Sequence, residues 1–243
     1  MTRASTANTD APVVIQTYVH VITDDTGKIG NVNGTTIRSQ IRLMNSDFSG
    51  RSSATAAKTR FTFKLLRITR TRNTTWHNLG PRGGSLEFMH ALRVGGVNAL
   101  NVYIADAQDV DGNKALGWAY YPTENTARGS TLYDGIVVSY YTLPGMGSTI
   151  FGKTAPHEVG HWLGLYHTVD PDGACNGDYD EVDDTPAQKG SGGCIIGSDS
   201  CPDQPGLDSV SNFMSFSNHC CRTDFTPGQA ARMSATWNAY RAQ

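Results

Sequence analysis

The chain has no apolar run approaching the ~18 residues that a membrane-spanning helix requires. It has no excess of charge of either sign: 20 Lys and Arg stand against 22 Asp and Glu, a formal net charge of -2. Nucleic-acid surfaces are normally basic, so neither a membrane nor a nucleic acid is an expected partner. The periods of collagen and coiled coil are absent, as are internal repeats and any interdomain linker. With 38% hydrophobic residues and 17% charged residues, the composition is also not that of a disordered chain. The opening residues Met1 to Asp10 are polar and carry no apolar signal segment. Few residues precede the first strand, so a leader and any propeptide are expected to be absent from this chain. Cysteine does not occur before Cys175, and all five cysteines (Cys175, Cys194, Cys201, Cys220 and Cys221) follow it in a loop-rich stretch. Their spacing lacks the paired CxxC knuckles of a zinc ribbon and suits disulfides, hence a secreted protein. Five is odd, so at least one thiol is left over within the chain.

What is present alternates between strand and helix patterns. Val13–Ile22 is β-branched and reads as a strand; Ile37, Ile41, Met44 and Phe48 recur at helical spacing and predict a helix over about 35–49. Strands are expected at 60–68, 100–104, 116–121 and 135–141, with helices at 85–94 and 154–163. Past Gly164 the chain turns rich in Gly, Asp, Pro and Ser, and a loop of that length needs staples where the cysteines sit. A last helix is expected after Thr226 as N-cap and Pro227 in the first turn, with Met233, Trp237 and Tyr240 on one face. This organisation reads as a single domain over 1–243: a flexible N-terminus at 1–11, an N-terminal subdomain at 12–164 and a C-terminal subdomain at 165–243.

The boundary between the halves reads His157-Glu158-Val159-Gly160-His161-Trp162-Leu163-Gly164-Leu165-Tyr166-His167. Two histidines four apart lie on one helix face, one turn from each other, so both imidazoles can reach one metal. Gly164 can take a positive φ, end the helix and turn the chain back, so that His167 supplies a third nitrogen. Three protein ligands leave a fourth tetrahedral position for water, which is the pattern of a catalytic zinc site. Glu158 adjoins the first ligand and is placed to act on the zinc-bound water as general base. A helix with solvent-facing histidines is the bland alternative, and it leaves the spacing unexplained.

With that motif, the sequence resembles the metzincin metallopeptidases, and more closely their pappalysin family. Further marks are Asp180-Glu-Val-Asp-Asp-Thr-Pro186, the segment Ser211-Asn-Phe-Met-Ser-Phe216 similar to a Met-turn, and Phe225-Thr-Pro-Gly-Gln229 followed by Arg232-Met233. Asn45–Phe48 and Leu92–Val102 are also family-like, so the likeness spans about 12–240 and is nearest to secreted fungal or microbial members. It implies an α+β fold with two subdomains: a twisted, mixed five-stranded sheet, a backing helix, an active-site helix, and a loop-rich C-terminal subdomain ending in a helix. It implies a monomeric, zinc-dependent endopeptidase acting on proteins or peptides, with His157, His161 and His167 on zinc, Glu158 as base and Met214 as an apolar floor.

The resemblance implies more at finer grain. Its cysteine pattern, first to third and second to fourth, pairs Cys175 with Cys201 and Cys194 with Cys221, leaving Cys220 over. Relatives often carry Tyr where Phe216 stands. An edge strand at Leu116–Tyr121 would receive substrate, with Gly117, Trp118, Ala119 and Phe216 in contact with it. The segment after Met214 would line the pocket for the residue following the scissile bond. From Ser215 to Cys220 it contains no carboxylate, so an apolar or unselective preference is expected. Carboxylates crowd 170–184, and calcium held by Asp178, Asp183 and Asp184 is expected there. Two other classes compete with a peptidase: a zinc-binding recognition module that has lost catalysis, which would not need Glu158, and a zinc amidase acting on other bonds, which need not have the third histidine.

Overall fold

The computed structural model describes residues 11–78, 87–109, 111–123, 133–146, 152–175, 179–190 and 193–242. Among them, five strands form one sheet: β1 Val13–Thr23, β2 Phe61–Arg72, β3 Ala99–Ala105, β4 Gly117–Ala119 and β5 Ile136–Ser139, in the order β2-β1-β3-β5-β4. Four strands run parallel, and β4 pairs antiparallel with β5 at the sheet edge. Helix α1 is Gly34–Phe48, α2 Thr74–His77, α3 Glu87–Leu92, α4 Thr154–Trp162 and α5 Pro227–Tyr240.

Each face of the sheet carries its own core. Successive strand side chains point to opposite faces, so Ile136 and Val138 of β5 join one cluster and Val137 the other. The larger cluster takes Ile15, Val19 and Val21 of β1 and Leu100, Val102 and Ile104 of β3. It packs them against Ile37, Ile41, Met44 and Phe48 of α1, Val159 and Trp162 of α4, and Met233 and Trp237 of α5. The smaller one gathers Ile22, Tyr103 and Val137 with Phe88 and Met89 of α3. Strand β3, sandwiched between both, is buried at all seven positions, as a central parallel strand should be.

Several expected boundaries move for local reasons. β2 continues past 68 to Arg72 because β1 runs on beside it to Thr23. β5 stops at Ser139, whose hydroxyl accepts from the Ala107 amide and donates to the Ala115 carbonyl, and a 3-10 turn at Tyr140–Thr142 follows. The 116–121 strand contracts to three residues, Gly117–Ala119. The helix expected at 85–94 is described from Glu87 and ends at Leu92.

After Gly164 the chain adds two isolated bridges and many turns, but no further helix until α5 among the described residues. Cys175 bonds Cys201 and Cys194 bonds Cys221, with Cα separations of 5.7 and 5.9 Å. Cys220 is unpaired and exposed, with its Sγ 3.5 Å from that of Cys194. Helix α5 starts in a capping box, where Thr226 accepts from the Gln229 amide and the Gln229 side chain accepts from Thr226. Its far end is clamped to α4. Arg241 makes a two-pronged contact with buried Asp134 at 2.9 and 3.0 Å, and donates to the carbonyls of Trp162 and Val97. Its guanidinium also lies 3.6 Å from the Trp162 ring centroid, while Trp162 Nε1 donates to Asp134.

Removing one partner of a buried ion pair weakens the compensation of the other, and Asp134 would be left with Arg93 at 3.4 Å and Trp162 Nε1. Arg241→Ala is therefore expected to lower unfolding free energy by about 3–5 kcal/mol in urea titrations; a change within error would mean the clamp is not a support of α4. Peptide mapping under non-reducing conditions is expected to find Cys220 alkylatable and the other four cysteines bridged as above; a bridge involving Cys220 would contradict this arrangement.

Candidate metal centre

Helix α4 is buried at all nine positions, and its start is held to α1 by Lys153, whose Nζ lies 2.8 Å from Asp47 Oδ1. Its end is a glycine turn. Gly164 has φ of 93°, the Leu165 amide bonds back to the Gly160 carbonyl and the Gly164 amide to that of His161. This is the left-handed cap that closes a helix and redirects the chain. A side chain at Gly164 would also strike Thr236 of α5 at 2.6 Å. The turn brings His167 back over the helix face that carries His157 and His161.

The three Nε2 atoms form a tight triangle: 3.2 Å from His157 to His161, 3.2 Å from His157 to His167 and 3.0 Å from His161 to His167. The other ring nitrogens decide what this means. His157 Nδ1 lies 2.7 Å from the Phe213 carbonyl, and His161 Nδ1 lies 2.8 Å from the Leu165 carbonyl. A carbonyl only accepts, so both Nδ1 atoms carry the proton and both Nε2 atoms present lone pairs. Burial lowers the pKa of all three rings, to about 4 for His161 and about 3 for His167, so they are neutral. Facing lone pairs repel unless a cation lies between them. Three imidazole nitrogens at these spacings match the ~3.3 Å edge of a tetrahedron with metal–nitrogen bonds of ~2.0–2.1 Å. The donor set therefore fits a zinc-type metal.

The Met-turn supports this triangle from the C-terminal side. Asn212 Oδ1 accepts from the Met214 amide, and its carboxamide exchanges hydrogen bonds with Gln229 of α5. Phe213 supplies the carbonyl for His157, and Met214, fully buried, accepts from the Thr168 amide through its own carbonyl. The sulfur of Met214 occupies the space where a Cβ on Gly160 would stand. That glycine, inside the motif but not a ligand, is a requirement that spacing arguments missed.

A cleft of about 410 Å³ opens over the triangle. Its walls include Leu116, Gly117, Trp118 and Ala119 on and beside edge strand β4, Thr154, Glu158 and Tyr121, then Phe216, His219 and Arg222. Gly117 approaches α4 closely: a Cβ there would lie 2.9 Å from Glu158 Oε1 and 2.7 Å from the Val137 carbonyl. Burial raises the Glu158 carboxyl to about 8, against a downward pull from the Arg222 charge. A cation among the histidines would lower it further. Phe216 stacks at an angle on His167, ring centroids 4.4 Å apart, and is 49% exposed.

Arg222 is the residue that sequence reading passed over. It is 6% exposed, and its Nε and Nη2 donate to the Ser217 carbonyl at 3.0 and 2.7 Å. The only available signal was a single Arg in the acid-free run Ser211–Thr223.

The acidic segment does not assemble in the same way. Asp178 lies outside the described residues. Asp183 is exposed, and Asp184 accepts from Thr226 Oγ1 at 2.6 Å and the Gly228 amide at 2.8 Å. It thus neutralises the start of α5, where a carboxylate is favoured. Asp180 accepts from the Val182 amide and Thr185 Oγ1. Among the described residues, the groups able to share a metal are the three histidines and the cluster Cys194, Cys220 and Cys221.

The comparisons with known proteins agree on one neighbourhood. Residues 90–238, more than half the chain, match the peptidase M43 family model described as pregnancy-associated plasma protein-A. An extracellular metalloprotease of Arthroderma benhamiae is 41% identical over 238 residues, covering 96% of this chain and 75% of that protein. Extracellular metalloprotease 1 of Coccidioides posadasii is 40% identical, covering 97% and 81%. Among solved structures, mature mirolysin of Tannerella forsythia in complex with a cleaved peptide aligns with a TM-score of 0.75 at 28% identity, over 93% of this chain and 92% of that one.

Gly160→Ala is expected to push Met214 out of place, at a cost of about 1–3 kcal/mol by overpacking, and to weaken metal retention. Thermal melting and a chelator competition assay check both; unchanged melting and unchanged metal retention would show that Met214 relaxes freely.

Proposed function

The chain belongs to the M43 metallopeptidase family, that of pregnancy-associated plasma protein-A, and is a zinc metalloendopeptidase of the metzincin type; on that premise we propose that it hydrolyses peptide bonds in proteins outside the cell, with Glu158 as general base. The observation that carries this reading is the triangle of Nε2 lone pairs with the Glu158 carboxylate beside it, in a cleft bounded by a sheet edge. Zinc, when held by His157, His161 and His167, supplies a Lewis acid that polarises the scissile carbonyl and makes water a stronger acid.

The protein's own groups do the rest. Among the described residues, strand β4 is bonded to β5 along one side, and its residues line the cleft, so an extended substrate can add to the sheet there. Gly117, Trp118, Ala119 and Phe216 then hold the peptide across the cleft. Glu158, nearly buried, accepts the proton of the attacking water and returns it to the departing amine. Burial alone favours the protonated carboxyl, and a cation held by the histidines shifts Glu158 back toward the carboxylate that can accept a proton. Phe216 offers no hydroxyl, so it acts as a wall packed on His167. Met214 and Gly160 keep α4 seated, and the carbonyls of Phe213 and Leu165 keep the imidazoles aimed.

Secretion is supported by the relatives named extracellular metalloproteases and by two disulfides. Protein or peptide substrates and a monomeric state complete the reading. Calcium stands apart from it: its support is the density of carboxylates at 170–184, and Asp184 is already engaged at the start of α5.

Glu158→Ala is expected to lower peptide cleavage by at least ~10²-fold, the usual scale of a lost acid–base group, with zinc content by elemental analysis equal to wild type. Cleavage retained at the wild-type rate would remove Glu158 from the mechanism, and loss of zinc would make it a structural residue.

A further inference from the structure

Burying a guanidinium is costly unless an anion or a full set of hydrogen bonds compensates. Arg222 is more than nine-tenths buried, yet no carboxylate of the described residues lies within ion-pair distance of it. Its Nε and one Nη2 hydrogen are spent on the Ser217 carbonyl. Of its five N–H groups, three then remain: both on Nη1 and one on Nη2, a contiguous edge matched to the two oxygens of a carboxylate. This side chain lines the same cleft as the metal ligands, Thr154 and Phe216. Among the described residues, the one carboxylate lining that cleft is Glu158, which the mechanism uses.

A second group on this wall is also uncommitted. His219 lines the cleft, and its buried Nδ1 has no hydrogen-bond partner among the described residues. The wall that follows Met214 therefore presents donors and one fixed positive charge, where an apolar or unselective pocket was the expectation from Ser215–Cys220 alone.

We propose that Arg222 selects an acidic side chain, Asp or Glu, in the residue following the scissile bond. This rests on the peptidase reading above and, for the position, on the family resemblance, which implies that the segment after Met214 lines the pocket for that residue. The substrate carboxylate completes the ion pair that the protein leaves open. Binding it adds a hydrogen-bonded anion to a buried charge that otherwise feels only the more distant Glu158 carboxylate, so discrimination is against both neutral and basic residues at that position. An isosteric Gln fills the same volume but carries no charge, and a Lys places like charges together.

The test uses zinc-loaded enzyme and four peptides with blocked termini, identical except for Glu, Gln, Leu or Lys after the scissile bond. Blocked ends ensure that the side chain carries the only carboxylate that varies. Wild type is expected to show kcat/KM for Glu about 10–100-fold above Gln, the range of a charge-assisted hydrogen bond over a neutral one, with Lys poorest. Arg222→Met is expected to bring the Glu-to-Gln ratio near one, and Arg222→Lys to preserve a reduced preference for Glu. The ratio is internal to each enzyme, so a general loss of activity does not move it.

A wild-type ratio near one, or Lys preferred, overturns the proposal even if Arg222→Met fails to fold. An unchanged ratio in folded Arg222→Met overturns it as well. If zinc-loaded wild type cuts none of the four, the peptidase reading is what fails. Fluorescence anisotropy with tagged versions of the same peptides then decides the selectivity: tighter binding of Glu than Gln upholds it, and equal binding overturns it.

Discussion

Three imidazole Nε2 atoms held within 3.2 Å of one another are the constraint around which the metal centre is built. Two of them present lone pairs toward the centre, an arrangement that favours a cation there, and the scaffold aims them from outside. It does so with backbone carbonyls, which fix the tautomers of His157 and His161 through Phe213 and Leu165. Those carbonyls belong to two different turns, one after helix α4 and one in the Met-turn. The metal centre is thus where the two halves of the chain are joined, and its geometry is only as firm as the packing between them.

That packing is made of a few largely buried contacts. Met214 sits against Gly160 across the two halves, while within them Gln229 locks Asn212 and Lys153 reaches Asp47. At the far end the Arg241–Asp134–Trp162 cluster ties the last helix to the end of α4. Buried ion pairs add little net stability over apolar packing, but they penalise any arrangement that separates their members. The loop-rich segment between these anchors has little regular structure to hold it, and the two disulfides limit its freedom there.

Much of this was legible along the chain because it rests on local periodicity. His157 and His161 share a helix face by spacing alone, Gly164 announces its turn, and Ile37, Ile41, Met44 and Phe48 mark the buried face of α1. The Thr226 cap and Pro227 start α5 as expected. Strand ends were less legible, since they depend on partners: Arg72 is in β2 because Thr23 is opposite it, and Ser139 ends β5 through bonds to residues 107 and 115. The acidic segment is hard to read for the same reason. A run of carboxylates says nothing of which donors will face them, and Asp184 faces the first turn of α5.

By itself, the sequence set three histidines and Glu158 on one helix and its turn and marked the cysteine-rich half, since each follows from residue type at short, regular spacing; the fold class was implied by the family resemblance that those motifs carry. Tertiary structure alone decided that Gly160 must make room for Met214, that β4 ends the sheet beside Glu158, and that Arg222 is buried at the cleft with no carboxylate of the described residues at ion-pair distance. The physical reason is that these are statements about space and compensation between segments distant in the chain. A charge has a meaning only once its surroundings are assembled, and those of Arg222 are assembled from α4, β4 and the Met-turn together.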